Sequence, residues 1–476
     1  MSDAWFSWAS RVTLGTQGVD VTRKLLPEAG PSQPSAVVRG LGVSPSVSDE
    51  AFSRALRRGI RYPRRPFSAL AKPMGAACNL DCTYCFFLSK EHLYDHARQR
   101  MSESMLTWFL TNFLDAQPDG AVTVEWQGGE PMLRGLPFFR HAIKLAEQLK
   151  RPGQTVYHSI QTNGTLLTDE WGEFLAKHHV LVGLSMDGPA RYHDAYRVNK
   201  AGRGTHAMVL RGWKILQKYG VDTNILCTVH AANADHPLEV YRYFRDELGA
   251  RFIQFIPIVE RVTEAEVAIA ENGWHTTGLE RPLYRQNGDA VTSRSVSPEA
   301  WGRFLSAVFD EWVTRDVGEV FVQHFDVAVG NAVGRYSLCV HSPVCGAALA
   351  TLPDGAIYAC DHWVEPGYER GNVETVSFRE VLDSAAQRRF GRAKRTRLPR
   401  QCRECPVLWA CQGGCPKDRF VRSDAAGAEE RHPLNYLCPG YRAFFTHISP
   451  SVRRIVSLLQ AGRPAADIMR DAAGTA

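Results

Sequence analysis

Three thiols fall within eight residues of one another. Cys78, Cys82 and Cys85 lie in C-N-L-D-C-T-Y-C at a C-x3-C-x2-C spacing, with Tyr84 just before the third. Iron–sulfur clusters are held by cysteine thiolates, so three on one short loop can take three irons of a cubane [4Fe–4S] cluster. The fourth iron is then open to a small molecule. Three close cysteines can equally form part of a zinc site, and the spacing alone leaves both readings open. A second stretch, W-Q-G-G-E-P, carries Gly128, Gly129 and Glu130. Two glycines let backbone approach a ligand closely, and Glu130 beside exposed carbonyls suits an ammonium group; the plain alternative is a tight turn. A third, S-M-D-G-P from Ser185, is followed by Arg197 in H-D-A-Y-R. A hydroxyl and a guanidinium fork suit a carboxylate, the plain alternative being a strand-end turn and a surface arginine.

These stretches need elements to hold them. From about residue 66 the pattern repeats strand, loop, helix, with strands at Ser68–Pro73, Val122–Gln127, Val156–Gln161, Val180–Ser185, Thr223–Val229 and Phe252–Ile258. Helical patterns fall between them at about 102–115, 136–150, 168–178, 205–219 and 236–248. Such alternation implies βαβ units on a parallel sheet. Six units are fewer than the eight of a closed barrel, so an open partial (β/α)6 barrel of α/β class is expected. Chemistry in barrel-type folds sits at the C-terminal strand ends, and the cysteine loop follows strand one.

Residues 1–65, rich in Ser, Pro, Gly and Arg, read as a weakly ordered extension. The barrel is expected over 66–260, with a linker and helices over 261–335, including a lid-like stretch at 260–297 and a helix at Pro298–Arg315. A loop-rich cysteine domain over 336–446 has little room for a core of its own and needs metal or cluster staples. A C-terminal helix and tail occupy 447–476, the helix at Ile448–Leu459.

A content of 44% hydrophobic and 22% charged residues is that of a soluble globular protein. The net charge of +6 is locally concentrated, at Arg57, Arg58, Arg61, Arg64 and Arg65, and again from Arg388 to Arg400. Neither block is interleaved with aromatics, so no nucleic-acid partner is expected. No apolar run is long enough to span a bilayer, and no signal peptide is evident. Twelve cysteines in such a chain point to a reducing, cytoplasmic setting, where metal or cluster ligation outweighs disulfides.

Together the three motifs resemble the radical S-adenosylmethionine (SAM) superfamily. The resemblance implies a [4Fe–4S] cluster on Cys78, Cys82 and Cys85 whose open iron chelates SAM. It further implies that Tyr84 and Gly129 line the SAM site and that Ser185, Arg197 and Val259 contact it. Of the remaining nine cysteines, Cys227 lies in the apolar strand N-I-L-C-T-V and reads as packing. The other eight follow Cys339-x5-Cys345-x14-Cys360, then Cys402-x2-Cys405-x5-Cys411-x3-Cys415, then Cys438. Zinc ribbons use paired C-x2-C knuckles, and only one such pair is present. The layout resembles the SPASM extension, which carries two auxiliary [4Fe–4S] clusters, for three in all. By that resemblance Cys339, Cys345, Cys360 and Cys415 hold one, and Cys402, Cys405, Cys411 and Cys438 the other, with no iron left open.

From about Ala71 to about Thr446 the chain resembles anaerobic sulfatase-maturating enzymes, through K-P-M-G-A-A-C-N-L-D-C-T-Y-C-F-F-L-S-K, Q-T-N-G-T-L-L, V-G-L-S-M-D-G-P, I-Q-F-I-P-I-V-E and D-G-A-I-Y-A-C-D-H. That family oxidises a Cys or Ser in a Cys/Ser-x-Pro-x-Arg motif of an unfolded sulfatase polypeptide to Cα-formylglycine. The implied roles are a 5′-deoxyadenosyl radical taking hydrogen from Cβ, a base taking the thiol or hydroxyl proton, and an auxiliary cluster taking the electron. The base would be Asp361, after Cys360. A monomer served by a donor such as flavodoxin or ferredoxin is expected. Alternatives are a maturase of another ribosomal peptide, forming thioethers or carbon–carbon crosslinks or epimerising residues, and, more distantly, a non-catalytic zinc-binding protein.

Overall fold

Alternating strand and helix patterns become a parallel sheet with covering helices. In the computed structural model, residues 64–94, 100–274, 282–422 and 432–473 are described. Most of the expected extension, with Arg57, Arg58 and Arg61, lies outside them. Strands β1 (Ser68–Ala71), β2 (Gly120–Trp126), β3 (Gln154–Thr162), β4 (Leu181–Ser185), β5 (Thr223–Val229) and β6 (Phe252–Pro257) pair in parallel in that order. Helices α1 (Glu103–Ala116), α2 (Gly135–Leu149), α3 (Asp169–Lys177), α4 (His206–Lys218) and α5 (Pro237–Arg242) connect them. Ser102 and Thr168 cap α1 and α3, each side chain accepting from a first-turn backbone N–H, which satisfies groups the helix itself leaves unpaired. The last expected helix runs on as a π turn at Tyr243–Glu247.

The sheet does not stop at six strands. After α6 (Pro298–Arg315), β7 (Phe321–Val322) adds in parallel to β6, and helix α7 (Gln323–Ala332) follows it. At the opposite edge, β8 (Ala348–Thr351) lies parallel to β1, with Ser68 opposite Ala348 and Ala71 opposite Thr351. Strands β9 (Ala356–Tyr358) and β10 (Glu369–Asn372) continue it antiparallel, giving ten strands. The cysteine-rich segment therefore shares the barrel's sheet and its core, which joins Phe67, Val124, Leu349, Ile357, Phe378 and Phe444 in one cluster. The expectation of little core of its own is met by borrowing.

Helix α8 (Ala385–Thr396) covers the cysteine-rich loops, and α9 (Cys438–Gln460) closes the fold. The latter begins ten residues before the expected Ile448, at the last cysteine, because its first turns pack on α6. A Cβ on Gly302 would lie 2.8 Å from Gly440 Cα, so these helices meet backbone to backbone.

The described parts of the stretch 260–297, which are 260–274 and 282–297, form an ordered cover. Glu260 at its root is buried and accepts from Arg294 (2.7 Å), Thr292 (2.7 Å) and Trp274. Lys90, 1% exposed, donates to the Tyr284 carbonyl (2.6 Å), and Ser89 Oγ accepts from Tyr284 N (3.0 Å). The cover is thus clasped to the turn after the cysteine loop. Arg64 and Arg65 pair with Asp115 and Asp383. Among the described residues no helix is long and apolar enough to cross a membrane.

Candidate active site

The cysteine loop and the Gly-Gly turn meet at the C-terminal edge of β1 and β2. The Gly-Gly turn after β2 zips onto the segment just before Cys78: Gly129 N donates to Gly75 O (2.8 Å) and Glu130 N to Ala77 O (2.9 Å). A Cβ on Gly129 would fall 2.1 Å from Ala77 O, and Gly128 takes φ +138°. The close approach that demands glycine here is therefore to the cysteine loop's own backbone. Glu130 is fully buried, and its carboxylate accepts from Met132 N (3.0 Å), Thr162 Oγ1 (2.8 Å) and Asn163 N (2.8 Å). It ties the turn to β3. Burial pushes its carboxyl up to about 7, against these donors.

Asn163, at the end of β3, donates to Cys78 Sγ (3.8 Å) and to Asn79 Oδ1 (2.9 Å). Cys78, Cys82 and Cys85 are partly exposed and lie within electrostatic reach of one another. Burial pushes Cys78 and Cys82 up to about 12, and a coordinating thiol is deprotonated by the metal's own charge.

On the other flank, Asp187 gathers the third motif. Arg197 closes a two-pronged pair on it (Nε–Oδ2 2.7 Å, Nη2–Oδ1 3.0 Å), and Tyr84 Oη donates to Oδ2 (2.6 Å). Burial pushes the Asp187 carboxyl up, but Arg197 outweighs it and holds the group well below the usual carboxylate range. The arginine fork thus meets a carboxylate of the chain itself. Ser185 Oγ accepts from Gln161 Nε2 (3.0 Å), and Val259 is buried just past β6. Beside Asp187, His230 is fully buried with neither ring nitrogen hydrogen-bonded, Nε2 lying 3.6 Å from Oδ2. Asp187 stood in a quoted motif without a role, whereas nothing in the sequence marked His230.

Asp361 reaches the same region on the turn after β9. Its Oδ1 pairs with Lys72 Nζ, from the residue following β1. Lys72 is 1% exposed, donates to Gln127 Oε1 (3.2 Å) and lies 4.6 Å from the Phe87 ring centroid. Burial pushes the Asp361 carboxyl up, but the Lys72 ammonium outweighs it, so the net shift is downward. The ion pair spans 289 positions of chain (361 − 72), and only the β1–β8 pairing makes it. Lys72 carried no sequence signal beyond its place in K-P-M-G.

The other eight cysteines form two neighbourhoods. Cys360 and Cys415 feel Cys339, as does Cys345, whereas Cys411 feels Cys402, Cys405 and Cys438. Among the described residues no three His, Cys, Asp or Glu side chains converge tightly enough for a single metal ion. The chemistry of these donor sets, all thiol and four to a neighbourhood, fits iron–sulfur clusters. Cys227 is fully buried in β5.

A family model described as the Radical SAM superfamily matches residues 73–244, and one described as an iron-sulfur cluster-binding domain matches 344–406. The chain is a radical SAM enzyme with a SPASM domain, a class that uses a [4Fe–4S] cluster and SAM. It is 40% identical over 408 residues to the serine-type anaerobic sulfatase-maturating enzyme of Bacteroides thetaiotaomicron, covering 85% of this chain and 95% of that protein. To the cysteine-type enzyme of Clostridium perfringens it is 30% identical over 400 residues, covering 82% and 99%. A solved structure described as native anSMEcpe with bound AdoMet and Cp18Cys peptide superposes with a TM-score of 0.69 at 29% identity, covering 82% of this chain and 99% of that one. The chain belongs to the anaerobic sulfatase-maturating enzymes.

Proposed function

We propose that this chain oxidises a Cys or Ser, in a Cys/Ser-x-Pro-x-Arg motif of an unfolded sulfatase, to Cα-formylglycine. The observation that carries the reading is Asp361, drawn from the cysteine-rich segment to the end of β1 and held ionised there by Lys72. An ionised carboxylate of this kind can accept the thiol or hydroxyl proton of a peptide. When bound, the cluster on Cys78, Cys82 and Cys85 with SAM supplies the hydrogen-abstracting 5′-deoxyadenosyl radical. Tyr84, Gly128, Gly129, Glu130, Ser185, Arg197 and Val259 shape the SAM pocket. Glu130 does so by fixing the turn, and Arg197 by fixing Asp187 against Tyr84.

Two auxiliary clusters, on Cys339, Cys345, Cys360 and Cys415 and on Cys402, Cys405, Cys411 and Cys438, complete the reading. The two thiol neighbourhoods support it. A donor such as flavodoxin or ferredoxin serves a cytoplasmic monomer, and twelve unbridged cysteines suit that reducing setting.

The test is anaerobic incubation with a Cys-x-Pro-x-Arg peptide and its Ser counterpart. Formylglycine on at least one, coupled to 5′-deoxyadenosine, is expected, and the ratio between them gives the preference. Deoxyadenosine without change in either peptide would overturn the assignment. Asp361→Asn, with full iron, is expected to lose at least about a hundredfold in turnover, the scale of a lost general base.

A further inference from the structure

Three buried cations and one half-buried cation near the described sites each have a carboxylate: Lys72 has Asp361, Arg197 has Asp187, Arg294 has Glu260 and the half-buried Lys417 has Asp418. Two others do not. Lys394 on α8 is 0% exposed, and its ammonium donates only to the backbone carbonyls of Cys339 and Val340 (2.7 Å to the latter). Arg419 is 8% exposed and spends its guanidinium on the carbonyls of Lys394 (2.7 Å), Gly413 (3.0 Å), Gln412 (3.3 Å) and Gly414 (3.5 Å). Among the described residues neither has an acidic partner. A buried charge left unpaired costs several kcal/mol even after relaxation.

What surrounds them is sulfur. Lys394 lies within electrostatic reach of Cys339, Cys345 and Cys415, all of one thiol neighbourhood. Arg419 reaches Cys345 and Cys415 of that neighbourhood and also Cys402 and Cys411 of the other. Helix α8 is pressed onto this region: a Cβ on Gly391 would fall 2.2 Å from Cys345 O. One cation therefore belongs to the first set of thiols, and the other stands between the two sets.

We infer that Lys394 and Arg419 are charge-balancing residues of the two auxiliary clusters, stabilising the reduced forms and so easing acceptance of an electron. This rests on the reading that the eight cysteines hold two clusters. Net charge and nearby charges are among the levers that set cluster potentials. Each thiolate set is negative and becomes more so by one charge on reduction. A fixed cation in a low-dielectric interior therefore favours the reduced form more than the oxidised one. Arg419, between the sets, acts on both, while Lys394 acts chiefly on the first.

The test is EPR-monitored redox titration of the fully loaded enzyme, with iron content measured first. About twelve irons per chain, four in each of three cubanes, support the cluster reading itself; about four would overturn that reading rather than the inference. Lys394→Met and Arg419→Gln are expected to lower the potentials of auxiliary signals. At a fixed poise the ratio of reduced to oxidised centres should fall at least tenfold, which is about 59 mV for a one-electron couple. The cluster on Cys78, Cys82 and Cys85 should stay unmoved as an internal standard. Lys394→Arg and Arg419→Lys, which keep the charge, should restore the potentials. Neutral variants that lose iron while the charge-keeping ones retain it would also support the inference. Fully loaded neutral variants with parental potentials would overturn it, as would equal iron loss in neutral and charge-keeping variants.

Discussion

Lys72 and Asp361 show how a reactive carboxylate can be kept ionised inside a protein. Breaking a buried ion pair by removing one partner costs about 3–5 kcal/mol, because the other charge is left unpaired. Lys72→Met is expected to lose stability on that scale and to slow peptide oxidation. In an Asp361→Asn background the same change should slow turnover little further, since the two act as one unit; independent, additive losses would separate their roles. Gly129 makes a different demand. A methyl group there meets Ala77 O at 2.1 Å, so Gly129→Ala must displace the backbone that leads into Cys78. The expected result is about four fewer irons per chain and loss of SAM cleavage, with the auxiliary signals retained. Full iron content in that variant would show that the turn has room to give.

At the scale of elements, the part of the cover around Tyr284 is held by a cation that burial disfavours. Lys90 is pushed from 10.5 down to about 8 by burial, with Glu365 opposing. The folded chain gives up this proton more readily than the unfolded chain, so between about pH 8 and pH 10.5 the unfolded state binds more protons. Stability from this group therefore rises with pH across that window. Compared with Lys90→Met, the parent's melting temperature should gain between pH 8 and pH 10, the full effect being about 3 kcal/mol. Parallel pH profiles for the two proteins would mean that the ammonium is better solvated than its place against the Tyr284 carbonyl implies. In the described parts of 260–297 the order comes from Glu260, Arg294 and Trp274 meeting in space, not from one apolar face.

Across the whole molecule, the barrel and the cysteine-rich segment share one sheet. Strand β8 covers the edge of β1, and α9 packs its apolar face on α6 and α7. A chain truncated after residue 335 loses both, leaving an open strand edge and a bared helix face, features that promote aggregation. It is expected to be insoluble, measured by recovery after anaerobic expression. A soluble, SAM-cleaving truncation would show instead that the barrel closes by itself.

The sequence alone determined the six parallel strands, the helices between them, the three-cysteine loop and the family. Each depends on local periodicity or on spacing within a few residues, and these survive in one dimension. Thr223–Val229 and Pro298–Arg315 fall where the pattern placed them. Only the tertiary structure decided that Gly129 faces the cysteine loop, that Glu130 serves the turn, and that Arg197 is spent on Asp187. It alone brought Lys72 to Asp361, Lys394 to the first thiol set and Arg419 between the two sets. Each of these is an electrostatic or steric relation between residues far apart in the chain. Its strength depends on burial and distance, which no local pattern encodes.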